Sequence, residues 1–451
     1  MPAVPSSLDA LLFLFAGVFS APAFQTFRVL ALGFLTRIGE HTVCGMLQAA
    51  RLERVWHHSI AHDFFAARRW DPEELGLVLL DFLVSVLVPR DAPIKLAIDD
   101  SLFKRTGKKV FGAAWQYDGS APSQQAPKTG FGNNWVILAL VVRLPFMKRP
   151  VSLPVLARLW QPDPSAKTAG KRPRKPNRAY PSKPELGRQM LDLVAARFAN
   201  RRIKLVGDSA YATQAFRGLR ENVIITSRLK SNAALYKPKP PRTGKRGQPA
   251  KKGAKLGKLQ AIAAAANWQE ITVTRSGRRQ RMTVHVFEAL HYGAWRERPV
   301  QIVLARKPTR RQGYDIALIS MNMKASAAEI IEDYDERWSI EVAIEDAKQI
   351  TGVGEARNRV ERAVKRTVPF GLICQSLTIA WYALNGRAEQ DVAHRRKHAR
   401  WYRHKSTPSY QDMLTSLRRA VIASQYLPVT GRKPVSQEII NPPAALAAAV
   451  G

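Results

Sequence analysis

Two stretches decide the predicted fold: IKLAIDD at residues 94–100 and RIKLVGDSAYA at residues 202–212. Each contains an apolar run of strand length that ends in acid, with Asp99 and Asp100 in the first stretch and Asp208 in the second. Neighbouring strands that end at the same edge of a sheet bring such carboxylates side by side. Since successive strand residues face opposite sides, only one of Asp99 and Asp100 can point into a shared site.

The surrounding patterns predict an α/β protein. Up to about residue 220 the predicted order is βββαβα, with a proline-rich basic loop at residues 162–184 before the helix. The remaining segments of this part are the strands VFGAAWQYD, NWVILALVVRLP and NVIITSR and the helix PELGRQMLDLVAARFA. Four more predicted strands follow and indicate a β-rich insertion: QEITVTR, QRMTVHVFEAL, PVQIVLARK and YDIALIS.

The segment YDERWSIEVAIEDAK at residues 334–348 follows this insertion. Its polar residues Tyr334, Arg337, Glu341 and Lys348 have offsets of 0, 3, 7 and 14, which on one continuous helix fall within an arc of about 60°. An acid flanked by Arg, Lys and Tyr on one face suits a site that handles metal ions and phosphates. The alternative is an ordinary amphipathic helix with a solvated charged face.

Both ends of the chain are predicted to be helical. Residues 1–90 have apolar residues at three- and four-residue spacing around an aromatic, basic segment, and we expect a helical DNA-binding domain there. A structural helical cap is the alternative. The chain returns to helices beyond residue 355, and the last of them are strongly basic.

The charge of the chain indicates a polyanionic partner. There are 71 Lys and Arg against 35 Asp and Glu, which gives a formal net charge of +36 and a pI near 10.7. The basic residues concentrate in segments 162–184, 237–258 and 394–405, which we expect to contact phosphates. We find no uncharged apolar run long enough to span a membrane, and the apolar stretch near the N-terminus lacks the preceding Lys or Arg of an export signal. We therefore expect a cytoplasmic, nucleoid-associated protein.

Metal chemistry in this chain has to rely on oxygen ligands or histidine. Cys44 and Cys374 are the only cysteines, which excludes a disulfide framework and a Cys-based zinc site. Two histidine pairs have a four-residue spacing: His58 with His62, for which we expect no metal, and His394 with His398, for which phosphate contact is favoured.

Asp99, Asp208 and Glu341 form the predicted metal site. Three convergent carboxylates repel one another unless a hard cation holds them ionised. Oxygen-only ligation favours Mg²⁺ or Mn²⁺, and a pair of such ions can activate a water or a 3′-hydroxyl for attack on a phosphodiester. We therefore predict phosphodiester cleavage with two metal ions.

The Tyr-x₂-Arg-x₃-Glu-x₆-Lys spacing, preceded by IDDSLFKRTGKK and LVGDSAYA, resembles the bacterial cut-and-paste DDE transposases of the insertion-sequence-4 type, in particular their DDE-endonuclease branch. The resemblance covers roughly residues 25 to 420. It implies an RNase H-like mixed-sheet core with a β-rich insertion between the second and third acids, flanked by N- and C-terminal helical regions. Asp99, Asp208 and Glu341 are then the catalytic residues and the ligands of two Mg²⁺ or Mn²⁺ ions. The order of strands predicted from the residues is compatible with that core.

The resemblance also implies roles for other residues. Tyr334, Arg337 and Lys348 contact the phosphates of the transposon end. The second strand is often cut through a DNA hairpin, aided by an aromatic side chain of the insertion, for which Trp268 and Trp295 are the candidates. A core role is the alternative for each tryptophan. The implied partners are double-stranded DNA, both transposon ends and target, and a second copy of the chain in a homodimeric synaptic complex.

The predicted organisation has five parts. They are a helical DNA-binding domain (1–90), the first part of the core (91–225), the basic loop and β-rich insertion (226–321), the second part of the core (322–385) and a basic helical C-terminal region (386–451). Two other functions remain open at this point: a non-catalytic DNA-binding protein, and another RNase H-like nuclease or resolvase.

Overall fold

The computed structural model describes residues 4–119, 129–164, 177–241 and 250–426. The region that precedes the sheet is helical, as predicted. Its helices are α1 (Ser6–Phe13), α2 (Ala21–Thr36), α3 (Val43–Ala49), α4 (His58–Ala66) and α5 (Pro72–Leu87).

One mixed sheet runs through the described part of the molecule. Its strands are β1 (Ile94–Lys104), β2 (Ala114–Tyr117), β3 (Thr129–Val142), β4 (Val151–Trp160), β5 (Ile203–Gly207), β6 (Val223–Arg228), β7 (Gln269–Arg275), β8 (Arg278–Leu290), β9 (Pro299–Arg306) and β10 (Ile316–Ser320). The strand order is β2-β3-β1-β5-β6-β10-β9-β8-β7, and β4 pairs with the same edge of β3 as β2.

The helices that follow β4 flank this sheet. They are α6 (Lys183–Arg197), α7 (Leu259–Ala264), α8 (Tyr292–Trp295), α9 (Ala327–Asp335), α10 (Trp338–Gln349), α11 (Glu361–Asn385), α12 (Ala388–His398) and α13 (Tyr410–Tyr426). The helices predicted beyond residue 355 are therefore present in the described residues.

Five strands in the order β4-β3-β1-β5-β6 form the core of the sheet. The pairs β4–β3 and β3–β1 are antiparallel, whereas the pairs β1–β5 and β5–β6 are parallel. Strand β3 is buried along almost its whole length, as expected for a central strand with both faces covered. This architecture confirms the predicted fold class, an α/β protein with an RNase H-like mixed sheet.

Two elements of the core differ from the sequence-based expectation. Strand β4 was not predicted, because its sequence VSLPVLARLW contains Pro154 and lacks a period of two. The proline lies where the register with β3 shifts between Leu138 and Ala139, and β4 is an edge strand there, so the missing N–H is tolerated. The helix predicted after β5 is wrong, since only a short 3₁₀ turn at Gln214–Phe216 occurs before β6.

The predicted β-rich insertion is present and continues the same sheet. Its four strands β7 to β10 form an antiparallel meander, and β10 pairs with β6 of the core. A continuous backbone ladder thus joins the insertion to the strand beside β5. Hydrogen bonding across β6 and β10 ties this part of the chain to the core rather than leaving it as a separate body.

The N-terminal helices pack against helix α11, which lies in the centre of the hydrophobic core. Phe370 of α11 meets the rings of Phe27, Phe64 and Phe65 edge to face. The Arg366 guanidinium of the same helix donates to backbone carbonyls in the segment after α4, including that of Arg68 at 2.7 Å. These contacts support the structural role of residues 1–90 that the sequence left open.

Helix α11 is long and apolar enough to cross a membrane by length and composition alone. In the described structure, 89% of that stretch is buried inside the protein, as in a core helix.

Candidate active site

The parallel pairing of β1 with β5 brings two of the predicted acids together. Ile98 is the register partner of Gly207, so the next residues on the two strands, Asp99 and Asp208, emerge side by side. Adjacent strands are about 4.8 Å apart. The two carboxylates are close enough for the charge of Asp208 to influence Asp99.

Local hydrogen bonds hold both carboxylates in place. Asp208 Oδ1 accepts from the backbone N–H of Ala210 at 2.8 Å, which forms a turn directly after β5. The Asp208 carbonyl accepts from the Ser227 hydroxyl of the neighbouring strand at 2.6 Å. Asp99 Oδ1 accepts from the N–H of Asp100 at 2.8 Å. These contacts limit the rotation of the acids without neutralising them.

Strand alternation separates Asp99 from Asp100. Asp99 Oδ2 accepts from the Arg337 guanidinium at 3.2 Å, so it faces the helix that contains Glu341. Asp100 forms an ion pair with Lys183 at the start of α6 instead. The position of Lys183 was missed because it falls at the end of a segment that the sequence predicted to be a loop.

The predicted single helix across residues 334–348 is wrong in one respect. Helix α9 ends at Asp335 and α10 begins at Trp338, although Glu336 and Arg337 between them keep helical backbone angles. The hydrogen bonds here span three residues instead of four, and the Ser339 hydroxyl also donates to the Glu336 carbonyl at 2.7 Å. Tyr334 therefore belongs to α9, Arg337 to the junction, and Glu341 and Lys348 to α10.

Arg337 links the first and third acids. Its guanidinium donates to Asp99 at 3.2 Å and makes a second, shorter bond to Glu341, one helical turn further on. The Arg337 side chain is only 13% exposed, whereas Glu341 is 32% exposed. Asp99 and Glu341 are thus near each other, as predicted, but the Arg337 side chain lies between them and bonds to both.

Burial raises the pKa of Asp99 to about 7, because the buried carboxylate loses hydration. The positive charge of Arg337 and the hydrogen bond from Asp100 oppose this shift in the pKa, while the charges of Asp100 and Asp208 increase it. The guanidinium of Arg337 therefore offsets only part of the cost of burying Asp99 in its charged form.

Among the residues that the structure describes, no three His, Cys, Asp or Glu side chains stand ready as a metal-binding group. Arg337 separates Glu341 from Asp99, and only the strand acids are direct neighbours. The donors on offer are carboxylate oxygens, which suit Mg²⁺ and Mn²⁺, and a dication favours the ionised form of a buried acid such as Asp99. Asp99 and Asp208 offer oxygen donors of the kind that such a metal takes, while Arg337 occupies the position between Asp99 and Glu341.

The two remaining residues of the predicted stripe lie beside the acids. Lys348 Nζ donates to the Ser101 hydroxyl at 2.6 Å and is 5.0 Å from the Phe103 ring centroid. Burial lowers the pKa of Lys348. The Tyr334 ring centroid is 5.6 Å from the Arg337 guanidinium carbon. Neither side chain contacts a carboxylate of the candidate site in the interactions that the structure describes.

Tyr211 is a residue near the acids that the sequence analysis did not single out. Its ring is buried three residues after Asp208, and its hydroxyl has no hydrogen-bond partner among the described residues. Burial, with the charges of Asp100, Asp99 and Asp208, raises the pKa of Tyr211 well above its ordinary value. Its closeness to Asp208 follows from the sequence, whereas its closeness to Asp99 and Asp100 depends on the pairing of β1 with β5.

The tryptophan candidates for base stacking are not free. Trp295 is 4% exposed and packs in the main hydrophobic core, which agrees with the core role considered as its alternative. Trp268 is partly buried, and the Arg306 guanidinium covers one face at 4.0 Å from the ring centroid. The Trp295 ring is therefore not accessible to DNA in this structure.

The predicted basic segments lie partly outside the described residues, which omit 165–176 and 242–249. The described residues of segment 237–258 make two contacts with Tyr236. Lys255 forms a β-bridge with Tyr236, and Lys252 lies 3.7 Å from the Tyr236 ring centroid. The histidines His394 and His398 stack in α12 with ring centroids 4.0 Å apart, among the cations of the C-terminal region.

Comparison with known protein families matches residues 14–310 to the DDE superfamily endonuclease family. This match covers about two-thirds of the chain, and the chain belongs to that family. Asp99 and Asp208 lie within the match, whereas Glu341 lies beyond it. A search of curated proteins gave no match. Family membership defines a nuclease-type enzyme of a superfamily that acts on DNA and generally uses divalent metal ions.

Proposed function

We propose that this protein is a cut-and-paste DDE transposase of the insertion-sequence-4 type, which binds terminal inverted repeats and performs strand cleavage and strand transfer. The observation that supports this most directly is the register of β1 and β5, which sets Asp99 beside Asp208 facing the helix of Glu341. A nuclease site with this geometry, in a DDE-family chain with a net charge of +36, acts on DNA.

Asp99, Asp208 and Glu341 are the proposed catalytic residues and the ligands of two Mg²⁺ or Mn²⁺ ions. When bound, the metal ions activate the attacking hydroxyl and stabilise the leaving oxygen of the phosphodiester. Asp99 is favoured over Asp100 because it faces Arg337 and Glu341, whereas Asp100 faces Lys183. Strand β1 and the turn after β5 hold Asp99 and Asp208, and α10, which packs against β1, supplies Glu341.

Tyr334, Arg337 and Lys348 are proposed to contact phosphates of the transposon end. A metal ion held by these carboxylates would replace Arg337 as their positive partner, and the planar guanidinium of Arg337 would then bind a phosphate. Lys348, whose Nζ donates to the Ser101 hydroxyl on β1, would bind the neighbouring phosphate. Holding the cut strand matters most for second-strand cleavage and end joining, because that strand is then reused as nucleophile or substrate.

Double-stranded DNA, as transposon ends and target, is the proposed partner, in a synaptic complex of two copies of the chain. A hairpin route for the second cut would require Trp295 to leave the core or Trp268 to lose its arginine cover. The proposed DNA contacts predict a steep salt dependence: each phosphate contact adds about 0.9 to the slope of log affinity against log salt. Fluorescence anisotropy with a labelled duplex at several salt concentrations measures this slope, and a flat response contradicts the phosphate contacts.

Cleavage of a plasmid that carries the inverted repeats flanking the coding region tests the proposed function. With Mg²⁺ or Mn²⁺ the wild type is expected to nick the transposon ends and join them to target DNA. We expect Asp99→Asn, Asp208→Asn and Glu341→Gln each to abolish cleavage and to leave DNA binding nearly intact.

Two matched variants control this experiment. Asp100→Asn changes the adjacent acid on the other face of β1, and Glu345→Gln changes an exposed acid one turn beyond Glu341. Both are expected to cleave. Binding without cleavage by the wild type would instead favour a non-catalytic DNA-binding protein. Cleavage without joining would favour another RNase H-like nuclease or resolvase.

A further inference from the structure

Two large aromatic side chains are exposed on strand β2. Trp115 is 73% exposed and Tyr117 is 70% exposed. They are two residues apart on one strand, so both rings stand on the same face of the sheet. A single exposed aromatic residue is ordinary, whereas a contiguous pair forms an apolar patch that suits a binding partner. We call Trp115 and Tyr117 the aromatic face.

The strand register places this face on the same side of the sheet as the first acid. Trp115 pairs with Phe131 of β3, and their ring centroids are 5.8 Å apart. Asp99 pairs with Ile137 of the same strand. Phe131 and Ile137 are six residues apart, an even number, so the side chains of Trp115 and Asp99 project from one face.

The distance between the two places matches a short length of DNA. Six residues of strand span about 20 Å at roughly 3.3 Å per residue, and β1 and β2 lie on opposite edges of β3, about 10 Å apart, so the two places are about 22 Å apart. A DNA strand that keeps the stacking of a duplex covers this distance in about six nucleotides, at 3.4 Å per phosphate along the axis, and an extended unpaired strand needs fewer. Lys348 covers β1 at Ser101 and Phe103 between the two places, so a strand whose scissile phosphate lies at Asp99 passes over this lysine on its way to the aromatic face.

Charge near the aromatic face favours nucleic acid over protein. Exposed Lys108 and Lys109 lie in the turn that leads to β2, whereas Lys104 at the end of β1 projects from the other face and pairs with Asp118. A second copy of the chain has a net charge of +36 and is repelled by such a surface. A polyanion that also offers aromatic surface satisfies both the rings and the lysines.

We propose that the aromatic face binds an unpaired DNA strand that extends from the cleavage site. This inference rests on the proposed function, because it requires the scissile phosphate to lie at Asp99. Side chains two apart on a strand are about 6.6 Å apart, close to the separation of alternate bases in a stack. Bases of an intact duplex already cover one another, whereas unpaired bases offer their faces to Trp115 and Tyr117.

Binding of two labelled DNA probes tests this inference. One probe is a blunt duplex, and the other is the same duplex with a single-stranded extension long enough to cover about 22 Å. Fluorescence anisotropy is measured in EDTA, so the result does not depend on cleavage. The full-length wild type is expected to prefer the extended probe. The double variant Trp115→Ala/Tyr117→Ala should lose this preference, by about tenfold for each ring removed.

Two further variants make the comparison specific. Trp115→Phe/Tyr117→Phe keeps both rings and is expected to retain most of the preference. Phe13→Ala removes a comparably exposed ring, 64% exposed on α1, and is expected to leave the ratio of the two affinities unchanged. The double alanine variant should also have the oligomeric state of the wild type, measured by light scattering.

Several results would overturn the inference. An unchanged ratio in the double alanine variant would do so, as would an equal loss of affinity for both probes, which would indicate contact with duplex DNA. A change in oligomeric state would identify the aromatic face as an interface between copies. All three leave the proposed function intact, whereas a wild type that binds neither probe contradicts the proposed function and this inference together.

Discussion

Strands β1 and β5 each contain a lysine, and an aspartate follows it four residues later, within β1 and directly after β5. Lys95 and Lys204 are register partners at one end of the pair, and Asp99 and Asp208 lie side by side at the other. The lysine end receives acids from α9 and the junction after it, whereas the aspartate end receives Arg337 from that junction and both Glu341 and Lys348 from α10.

The lysine end is neutralised within the chain. Lys95 lies 2.9 Å from Asp333 and 2.8 Å from Glu336, and Lys204 lies 2.7 Å from both Asp333 and Glu329. Burial by itself would lower the pKa of Lys204, but its ion pairs with Asp333 and Glu329 outweigh burial and raise that pKa.

The aspartate end shows the opposite balance. Burial raises the pKa of Asp99 to about 7 despite the cation beside it. The different charge balance of the two ends distinguishes charged residues with a structural role from those with a functional role in this protein. A cluster whose charges are matched holds helix to sheet, and a cluster with surplus negative charge is suited to a cation from outside.

The largest effect on stability is expected at the lysine end. Glu336 is 4% exposed and pairs with Lys95 and Arg143. Glu336→Gln should lower the free energy of unfolding by about 2 kcal/mol, because the buried Glu336 side chain loses its charge-assisted hydrogen bonds to Lys95 and Arg143. Urea denaturation of the full chain measures this loss.

Glu341→Gln provides the contrast at the aspartate end. Removing one of several mutually repelling acids should leave the free energy of unfolding within about 0.5 kcal/mol of the wild type. The exposed Glu345→Gln serves as the control for a neutralised acid on α10. Equal destabilisation by Glu336→Gln and Glu341→Gln would remove the distinction between the two ends.

A smaller effect is expected from Arg337→Gln. If the Arg337 guanidinium occupies the place of a cation between Asp99 and Glu341, its removal should strengthen Mn²⁺ binding by about tenfold in the absence of DNA. Titration calorimetry or the electron paramagnetic resonance of free Mn²⁺ measures the affinity. Lys348→Gln is the control, because Lys348 bonds Ser101 and not the carboxylates. Unchanged or weaker Mn²⁺ binding by Arg337→Gln would show that Arg337 does not compete with metal.

The smallest effect is expected at Asp346, an acid of α10 away from both ends. Burial, with the charge of Glu345, raises the pKa of Asp346 to about 6. The folded state therefore binds this proton more tightly than the unfolded chain, so stability falls as pH rises from about 4 to about 6 and is constant above that. Asp346→Asn removes this penalty. Because the side chain is partly solvated, we expect a gain of about 1 kcal/mol at pH 8.

The comparison of wild type and Asp346→Asn at two pH values checks this expectation. Urea denaturation should show no difference between them near pH 4, where Asp346 is protonated in the folded state. A gain that is the same at both pH values would show that the charge of Asp346 is not its cause.

Local sequence determined much of the fold. The apolar runs before Asp99 and Asp208 form strands because short apolar segments of β-favouring residues bury best in a sheet. The four strands of the insertion and the terminal helices were predictable for the same reason. The location of β4 was not, since Pro154 interrupts its pattern and is tolerated only where the partner strand shifts register.

By itself the sequence determined which residue types end the strands, how many charges the chain has and which side chains alternate. These properties depend on neighbours within a few residues. Tertiary structure decided that Asp99 and not Asp100 faces α10, that the helix is interrupted before Trp338, and that Arg337 lies between Asp99 and Glu341. It also buried Trp295. The contact of Arg337 with Asp99 and the burial of Trp295 join segments far apart in the sequence, and no local pattern encodes which of the possible contacts forms.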